Sequence, residues 1–148
     1  RFRARCARNV YTLAVMMIDV YHCKSIYHRY GHWVGDEVLK QLTALAEKSI
    51  RGGDYLARYG GEEFCILLPA SAENDAWLLA DRLRQVFAGT AIECGGEVLR
   101  STNSIGIADS AHAGLAFTSL IVAADKAMYR AKQDGRNRVI MHSSHAYV

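Results

Sequence analysis

The chain has 148 residues and a mass of 16.4 kDa, a size that suits a single domain with a sizeable hydrophobic core. Its composition, 51% hydrophobic and 22% charged, is that of an ordinary soluble globular protein, and no apolar run reaches the roughly 18 residues of a membrane-spanning helix. The net charge of +3 suits a phosphate-bearing ligand, but it is equally common in proteins that bind none.

The first third of the chain predicts a buried strand and three helices. A basic stretch at residues 1–9 can form a short helix, and residues 12–20, rich in Val, Met, Ile and Leu, predict the strand. A short helix at residues 23–31 is expected to stop at Gly31. Residues 34–50 carry an apolar stripe at helical spacing and predict a long helix, which a Gly-Gly pair ends.

The middle of the chain predicts a tight hairpin and a second long helix. Strands are expected at residues 54–59 and 63–69, and two glycines with an acidic pair separate them. Residues 71–89 carry apolar residues at helical spacing, and Ser71 is the candidate N-cap of this helix.

The last third predicts another hairpin, a long helix and a closing strand. The hairpin is expected at residues 91–109 with Gly95 and Gly96 at its turn, the helix at 115–135 and the strand at 136–142. The order β-α-α-β-β-α-β(β)-α-β predicts an α+β fold of the ferredoxin-like type. We expect an antiparallel-centred sheet with its flanking helices on one face.

The first hairpin carries two adjacent carboxylates in the sequence RYGGEEF. A surface pair such as Glu62 and Glu63 is often simply solvated, but here it follows two glycines, which let a ligand approach the backbone closely. Asp19 ends an otherwise apolar strand, and in a ferredoxin-like sheet that strand neighbours the hairpin. Three converging carboxylates repel one another unless a cation holds them, and oxygen ligands of this kind suit Mg²⁺ or Mn²⁺ and, through them, nucleotide phosphates.

Several further segments make the chain similar to a known family. RYGGEEF resembles the defining motif of GGDEF-domain diguanylate cyclases, in the variant with Glu at the third position. The resemblance extends to IDV, YGHWVGDEVL, SIGIA, ADKAMYRAKQDGRNRV and RGGD, in this order except for the upstream RGGD, and covers nearly the whole chain. It implies a nucleotidyl-cyclase or palm-like fold. It also implies condensation of two GTP molecules into cyclic di-GMP, with release of two pyrophosphates, between two antiparallel subunits.

The resemblance assigns roles to individual residues. Asp19, Glu62 and Glu63 look like catalytic residues that hold Mg²⁺ or Mn²⁺, with help from the carbonyl of Val20, and Glu62 is also a candidate base. The substrate-binding positions are His22, Cys23, Lys24, Tyr27, Asp36, Lys132 and Arg136. Among them Asp36 would read guanine, although an acid near a helix N-terminus is also favoured by the macrodipole. Lys24, Lys132 and Arg136 would contact phosphates, although lysines near a helix C-terminus often only complement its dipole.

RGGD resembles the family's product-inhibition site. Arg51 and Asp54 match its RxxD pattern, and Arg82 falls where a second arm of that site can come from. An arginine fork pairs with guanine acceptors or with phosphate, while a carboxylate accepts from guanine N–H groups. Without the resemblance, RxxD is a trivial pattern.

One segment departs from the family pattern DxDxFKxxND, because here it reads DVYHCKSIYH. Tyr21 replaces an Asp, Cys23 a Phe, Tyr27 an Asn that reads guanine, and His28 an Asp. Loss of a specific hydrogen-bond partner at the position of Tyr27 can cost several powers of ten in discrimination. Asn103 also stands in a strand where an apolar residue is usual, so its buried amide needs a partner.

These departures leave alternatives open. The first is an active cyclase, and the second is a degenerate domain that turns over weakly and senses GTP or cyclic di-GMP through Arg51 and Asp54. His22 and His28 with Asp19 could instead hold a softer metal. An RNA-recognition module would share the strand order, but its aromatic stacking motif is absent and Glu62 with Glu63 would repel phosphates.

The remaining expectations concern the setting of the chain. Residues 1–148 are expected to form a single GGDEF domain, the C-terminal part of a longer signalling protein. We expect a cytoplasmic homodimer that binds GTP and cyclic di-GMP but no nucleic acid. This domain itself is expected to make no membrane contact, although regions outside it could tether it to a membrane.

Overall fold

A five-stranded sheet forms the centre of the fold in the computed structural model, which describes residues 12–20, 28–59 and 62–145. Its strands are β1 (Ala14–Val20), β2 (Tyr55–Arg58), β3 (Glu63–Leu68), β6 (Asn103–Asp109) and β7 (Arg138–Met141), and β4 (Ile92–Cys94) pairs with β5 (Glu97–Leu99) in a separate ribbon. The strand order is β2-β3-β1-β6-β7, with all neighbours antiparallel except β6 and β7. The helices are α1 (His32–Ser49), α2 (Glu73–Gly89), the short α3 (Ser110–Ala113) and α4 (Phe117–Gln133). A 3₁₀ turn, His142–His145, follows β7.

Both faces of the sheet are covered, so the expectation of helices on one face is wrong. Met16 and Ile18 of β1 pack in a core with α1 and α2, whereas Val15 and Met17 pack in a second core with α4. All seven residues of β1 are buried. The apolar run of this strand has no alternating polar face, which is the pattern of a strand buried on both sides. The predicted α+β class with an antiparallel-centred sheet and flanking helices is confirmed.

Helix α4 approaches β6 so closely that one strand position must lack a side chain. A Cβ atom on Gly106 would overlap the backbone of α4, at the carbonyl oxygen of Ala124 and the nitrogen of Met128. The SIGIA segment therefore carries a glycine because two backbones meet there. This close packing fixes the distance of α4 from the central strands and with it the position of the residues that α4 extends toward β1.

Most predicted elements are present, with corrections at their ends. Helix α1 begins at His32, two residues before the prediction, directly after Gly31 with its positive φ of 90°. Ser71 is not the N-cap of α2, because Ala72 holds that position and Asp75 accepts a hydrogen bond from its N–H at 3.2 Å. Ser71 is buried instead, and its hydroxyl accepts a hydrogen bond from Arg51.

The last third of the chain also differs in detail. β4 and β5 form the expected hairpin around Gly95 and Gly96, but β6 leaves the hairpin and joins the central sheet. The short helix α3 and the 3₁₀ turn were not predicted. The expected basic helix at residues 1–9 and most of the short helix at 23–31 lie outside the described residues, while residues 28–30 are helical. In the part of the chain that the structure describes, no helix combines the length and apolar character needed to cross a bilayer.

Candidate functional site

Acidic residues of two neighbouring strands meet at one end of the sheet. Asp19 of β1 lies directly opposite Glu63 of β3 in the antiparallel register. The N–H of Val20 donates a hydrogen bond of 3.2 Å to the carbonyl oxygen of Glu62, which places the backbone of Glu62 beside the end of β1. The apolar parts of both strands are buried and hold this register. We call Asp19, Val20, Glu62 and Glu63 the acidic edge. The turn glycines at 60 and 61 lie outside the described residues.

Electrostatics at the acidic edge disfavour negative charge. Burial raises the pKa of Glu63, and the nearby carboxylates of Asp19, Asp125 and Glu62 raise it further. The ammonium of Lys132 acts in the opposite direction and lowers this pKa. Such a group of carboxylates is stabilised by additional positive charge, which a divalent cation supplies more effectively than a single ammonium.

The two oxygens of Asp19 have different surroundings. Oδ2 forms an ion pair with the ammonium of Lys132, which reaches β1 from the last turn of α4. Oδ1 is buried and has no hydrogen-bond partner among the described residues. An unpartnered oxygen on a carboxylate that is only 6% exposed is costly, and it is the kind of ligand that Mg²⁺ or Mn²⁺ prefers. The residues of the acidic edge therefore fit a hard divalent cation.

Asp125 was not singled out in the sequence, although a signal for it exists. It precedes Lys132 by seven residues within α4, which is close to two helical turns, so both residues lie on one face of that helix. Its carboxylate acts on Glu63 and adds to the negative charge of the acidic edge. Periodicity counted from Lys132 would have identified it.

The structure places three of the predicted substrate-binding residues. Asp36 is exposed and lies in the second turn of α1, beyond the first turn where the helix macrodipole has most effect. Lys132 contacts Asp19, as described above. Arg136 follows Gly135 beyond the end of α4, as predicted, with a positive φ of 63°. It lines a cavity of about 390 Å³ together with Arg100, which gives this cavity two guanidinium groups.

The remaining predicted substrate-binding residues cannot be placed. All four lie outside the described residues, and Tyr21 does too. These four are His22, Cys23, Lys24 and Tyr27. The softer metal site proposed from His22 and His28 therefore lacks a described position for one of its members. His28 is helical and exposed.

Two of the three residues of the expected product-inhibition site, Arg51 and Arg82, line one cavity of about 180 Å³ beside α2, and the third, Asp54, contacts Arg51 without lining the cavity. The backbone N–H of Arg51 donates to Asp54 Oδ2 at 3.0 Å, and its guanidinium contacts both oxygens of the same carboxylate at 3.4 Å. Nη2 of Arg51 also donates to the hydroxyl of Ser71 at 2.8 Å. Arg82 of α2 lines the same cavity. An exposed guanidinium held in this way is pre-organised for an anionic or guanine-like ligand.

Asn103 is the buried amide that the sequence analysis expected. It is fully buried, and neither polar atom of its amide has a hydrogen-bond partner among the described residues. It lies opposite Val20 at the end of β1, beside the acidic edge. The neighbouring hydroxyl of Ser104, opposite Asp19, is likewise buried without a described partner. The predicted need for a partner is therefore present and unmet within the described chain.

Comparison with known proteins gives a consistent result. The family model described as "Diguanylate cyclase, GGDEF domain" matches residues 2–138. "Diguanylate cyclase A" of Treponema denticola is 37% identical over 130 residues, which cover 88% of this chain and 35% of that protein. The chain spans about a fifth to a third of the length of curated relatives that are 36–38% identical to it.

Two solved structures extend the comparison to the fold. The active GGEEF domain of a diguanylate cyclase from Vibrio cholerae matches with a TM-score of 0.87 and 32% identity, covering 95% of this chain and 89% of that one. The GGDEF domain of DgcB from Caulobacter crescentus, solved in complex with c-di-GMP, matches with a TM-score of 0.87 and 26% identity. That match covers 97% of this chain and 85% of that one.

Proposed function

Because this chain belongs to the GGDEF-domain diguanylate cyclase family, we propose that it condenses two GTP molecules into cyclic di-GMP and releases two pyrophosphates. The observation that carries the proposal is the acidic edge, where Asp19 faces Glu63 across two strands and keeps one buried oxygen without a described partner. Burial and then the charges of Asp19, Asp125 and Glu62 raise the pKa of Glu63, and such a cluster of like charges is more typical of a functional site than of a purely structural one. The hydrogen bond from the N–H of Val20 to the carbonyl of Glu62 keeps the backbone of the hairpin beside the end of β1.

The residues of the acidic edge would act in distinct ways. Asp19, Glu62, Glu63 and the carbonyl of Val20 would hold Mg²⁺ or Mn²⁺, and Glu62 would also accept a proton. A bound divalent ion lowers the pKa of the attacking hydroxyl and neutralises charge on the phosphates. In each of two steps the 3′-hydroxyl of one GTP loses its proton to Glu62. The 3′-oxygen then bonds to the α-phosphorus of the other GTP. The bond between that phosphorus and the oxygen that bridges it to the β-phosphate breaks, and pyrophosphate leaves.

Binding of GTP would use residues on both sides of the acidic edge. Asp36 would accept hydrogen bonds from the guanine N–H groups, and Lys24, Lys132 and Arg136 would contact phosphates. Because each GTP supplies the nucleophile for the other, two chains must face each other, and the active form would be an antiparallel homodimer. We place this reaction in the cytoplasm, with the chain as one GGDEF domain of a longer signalling protein.

The alternative is a domain that turns over weakly and senses cyclic di-GMP or GTP. The observation that favours it is the cavity around Arg51 and Arg82, in which Arg51 is already held by Asp54 and Ser71. A pre-ordered arginine lowers the entropic cost of binding a ligand there. Tyr21 and Tyr27, which replace acidic and amide groups of the family pattern, would weaken turnover without affecting this second site.

One experiment separates the two functions. The dimeric chain is incubated with GTP and Mg²⁺, and cyclic di-GMP and pyrophosphate are measured by chromatography, with Glu63→Gln as the inactive control. Turnover by the natural chain supports the cyclase and refutes the idea that Tyr27 cripples guanine recognition. Absence of product, with turnover restored by Tyr21→Asp combined with Tyr27→Asn, supports the sensor. Absence of product from both the natural chain and the variant with Tyr21→Asp and Tyr27→Asn would overturn the assignment of the acidic edge.

A further inference from the structure

A second group of titratable side chains lies at the opposite end of β1 from the acidic edge. Glu73 begins α2, Asp109 ends β6 and His112 lies in α3, and one ligand atom of each is within 4.8 Å of the other two. Asp109 pairs with Ala14, whereas Ser104 pairs with Asp19. Five residues of strand therefore separate the two groups, which corresponds to about 17 Å. We call Glu73, Asp109 and His112 the distal triad.

Two of the three side chains are carboxylates that solvent hardly reaches. Glu73 is 2% exposed and Asp109 is 1% exposed. Both oxygens of Asp109 accept a backbone hydrogen bond within the triad. Oδ2 accepts from the N–H of Glu73 at 2.9 Å, and Oδ1 accepts from the N–H of His112 at 3.0 Å. Its Oδ1 also lies 2.7 Å from His112 Nδ1. Two buried carboxylates this close together require a positive charge between them.

Glu73 supplies the observation that points to a ligand. Its Oε1 accepts hydrogen bonds from the hydroxyl and the N–H of Ser143, at 2.5 and 3.2 Å. Its Oε2 is buried, has no hydrogen-bond partner among the described residues and lies 3.6 Å from His112 Nδ1. The unpartnered oxygen thus faces the imidazole nitrogen and the second carboxylate. His112 closes the group on the solvent side, where its side chain is 44% exposed.

We propose that Glu73, Asp109 and His112 bind a divalent transition-metal ion, of which Zn²⁺ fits the donor set best. One imidazole nitrogen with two carboxylate oxygens is a ligand set that zinc accepts, whereas Mg²⁺ prefers oxygen alone. In a tetrahedral zinc site, ligand atoms lie about 3.3 Å apart, since each bond is about 2.0–2.1 Å long. The separation of 3.6 Å between Oε2 and Nδ1 is close to this value. The distance of 2.7 Å between His112 Nδ1 and Asp109 Oδ1 is shorter than this value, and a small rotation of the exposed His112 ring would lengthen it.

The geometry leaves room for a fourth ligand and for a competitor. The exposed side of His112 opens toward solvent, so a water molecule can complete the coordination. A proton competes with the metal, because the hydrogen bond to Asp109, the largest influence, raises the pKa of His112. Binding would join α2, β6 and α3, and through Ser143 it would also secure the 3₁₀ turn that follows β7. Because α2 is distant in sequence from β6 and α3, we expect the metal to stabilise the native chain.

The test is a titration of the chain with Zn²⁺ in excess Mg²⁺, which occupies the acidic edge. Affinity is measured by calorimetry and stability by thermal unfolding. We expect one zinc ion per chain and a rise in Tm of about 5–10 °C at a hundredfold excess over Kd. His112→Ala is expected to reduce the affinity at least tenfold. His32→Ala removes another exposed histidine, at the start of α1, and should leave the affinity unchanged.

Two further measurements keep the proposal falsifiable. Glu73→Gln keeps the shape of the side chain and an oxygen for Ser143, and it should also weaken zinc binding at least tenfold. In nitrogen-detected NMR, addition of zinc should change the chemical shift of His112 Nδ1 more than that of Nε2. The proposal is overturned if the natural chain does not bind zinc, or if His112→Ala and Glu73→Gln both fold and keep the natural affinity. Because this readout is independent of GTP turnover, it stands or fails separately from the cyclase assignment.

Discussion

Asp19 shows how a single residue sets the character of the acidic edge, because its two oxygens have opposite surroundings. One oxygen contacts Lys132, and the other is buried without a partner among the described residues. The carboxylates around it make every additional negative charge costly in the absence of a cation. At the residue scale, the site is therefore a place where function and stability conflict, as is common where like charges are held together.

Replacement of Glu63 by Gln should expose this conflict. Burial and the charges of Asp19, Asp125 and Glu62 raise the pKa of Glu63, so the folded chain holds its proton more tightly than the unfolded chain. The metal-free natural chain should therefore lose stability as pH rises through the range just above the ordinary glutamate pKa, while Glu63→Gln should not. At neutral pH we expect Glu63→Gln to be more stable than the natural chain and to lose turnover.

Urea unfolding in EDTA across this pH range measures the difference. Glu47→Gln, which removes an exposed glutamate from α1, is the matched control and should change stability by less than about 0.5 kcal/mol. A variant that is less stable than the natural chain at neutral pH would contradict the crowding of charge at the acidic edge.

Cys65 should be unreactive in the folded chain. It lies in β3 and is 6% exposed, and burial raises the pKa of its thiol from 9.0 to about 11. At pH 8 the thiolate fraction then falls about 100-fold, and steric protection adds to this. In a chain with Cys6, Cys23 and Cys94 replaced by Ser, alkylation by iodoacetamide should be at least 100-fold slower before than after unfolding in urea. Equal rates would mean that β3 opens readily.

At the scale of elements, the packing of α4 on β6 is the contact that leaves least freedom. The backbone of α4 occupies the space where a side chain at Gly106 would lie. α4 carries Lys132 and Asp125, so its distance from the sheet decides how these residues meet β1. The acidic edge depends on this contact although Gly106 itself has no functional group.

Gly106→Ala should destabilise the chain by about 3 kcal/mol or more, because neither backbone can yield without separating α4 from β6. Gly89→Ala is the matched control. It lies at the end of α2 with open space around it, and it should be neutral or slightly stabilising. Chemical unfolding of both variants checks the difference. Equal stability of the two variants would show that α4 can shift outward at little cost.

The sequence predicted these elements well where local signals exist. The Gly-Gly turn indicated the hairpin of β2 and β3, and the ferredoxin-like order then predicted that Asp19 lies beside it. Ser71 was a wrong prediction, because a local cap preference lost to a distant contact with Arg51. The distal triad could not be predicted from the sequence. Asp109 and His112 are three residues apart, with Asp109 as the N-cap of α3, but Glu73 lies 36 residues before Asp109 and joins them only through the tertiary fold.

At the scale of the whole molecule, β1 separates the acidic edge from the distal triad. The acidic edge lies at its C-terminal end and the distal triad near its N-terminal end, and the cavity of Arg51 and Arg82 lies beside α2. Because β1 is buried on both faces, neither end is expected to move independently of the other. The proposed ligands would therefore bind to one stable body.

Arg51→Ala should weaken binding of cyclic di-GMP at least tenfold, because it removes the guanidinium that Asp54 and Ser71 hold at the cavity. Calorimetry in the absence of GTP measures this affinity directly. Arg84→Ala is the matched control, since Arg84 lies two residues beyond Arg82 but pairs with Asp81 and does not line the cavity. Unchanged affinity after removal of Arg51 would eliminate this cavity as the product-binding site.

The ion pair between Lys132 and Asp19 neutralises one carboxylate of the acidic edge before any ligand arrives. A divalent cation that binds Asp19 competes with this ammonium, so its apparent affinity is lowered by the free energy of the pair. The released ammonium is then available to a nucleotide phosphate, which holds it away from Asp19. The cation and the nucleotide should therefore each raise the affinity of the other by the same factor, as thermodynamic linkage requires. In Lys132→Met that mutual enhancement should become smaller, which makes one lysine the coupling element between the metal and the substrate.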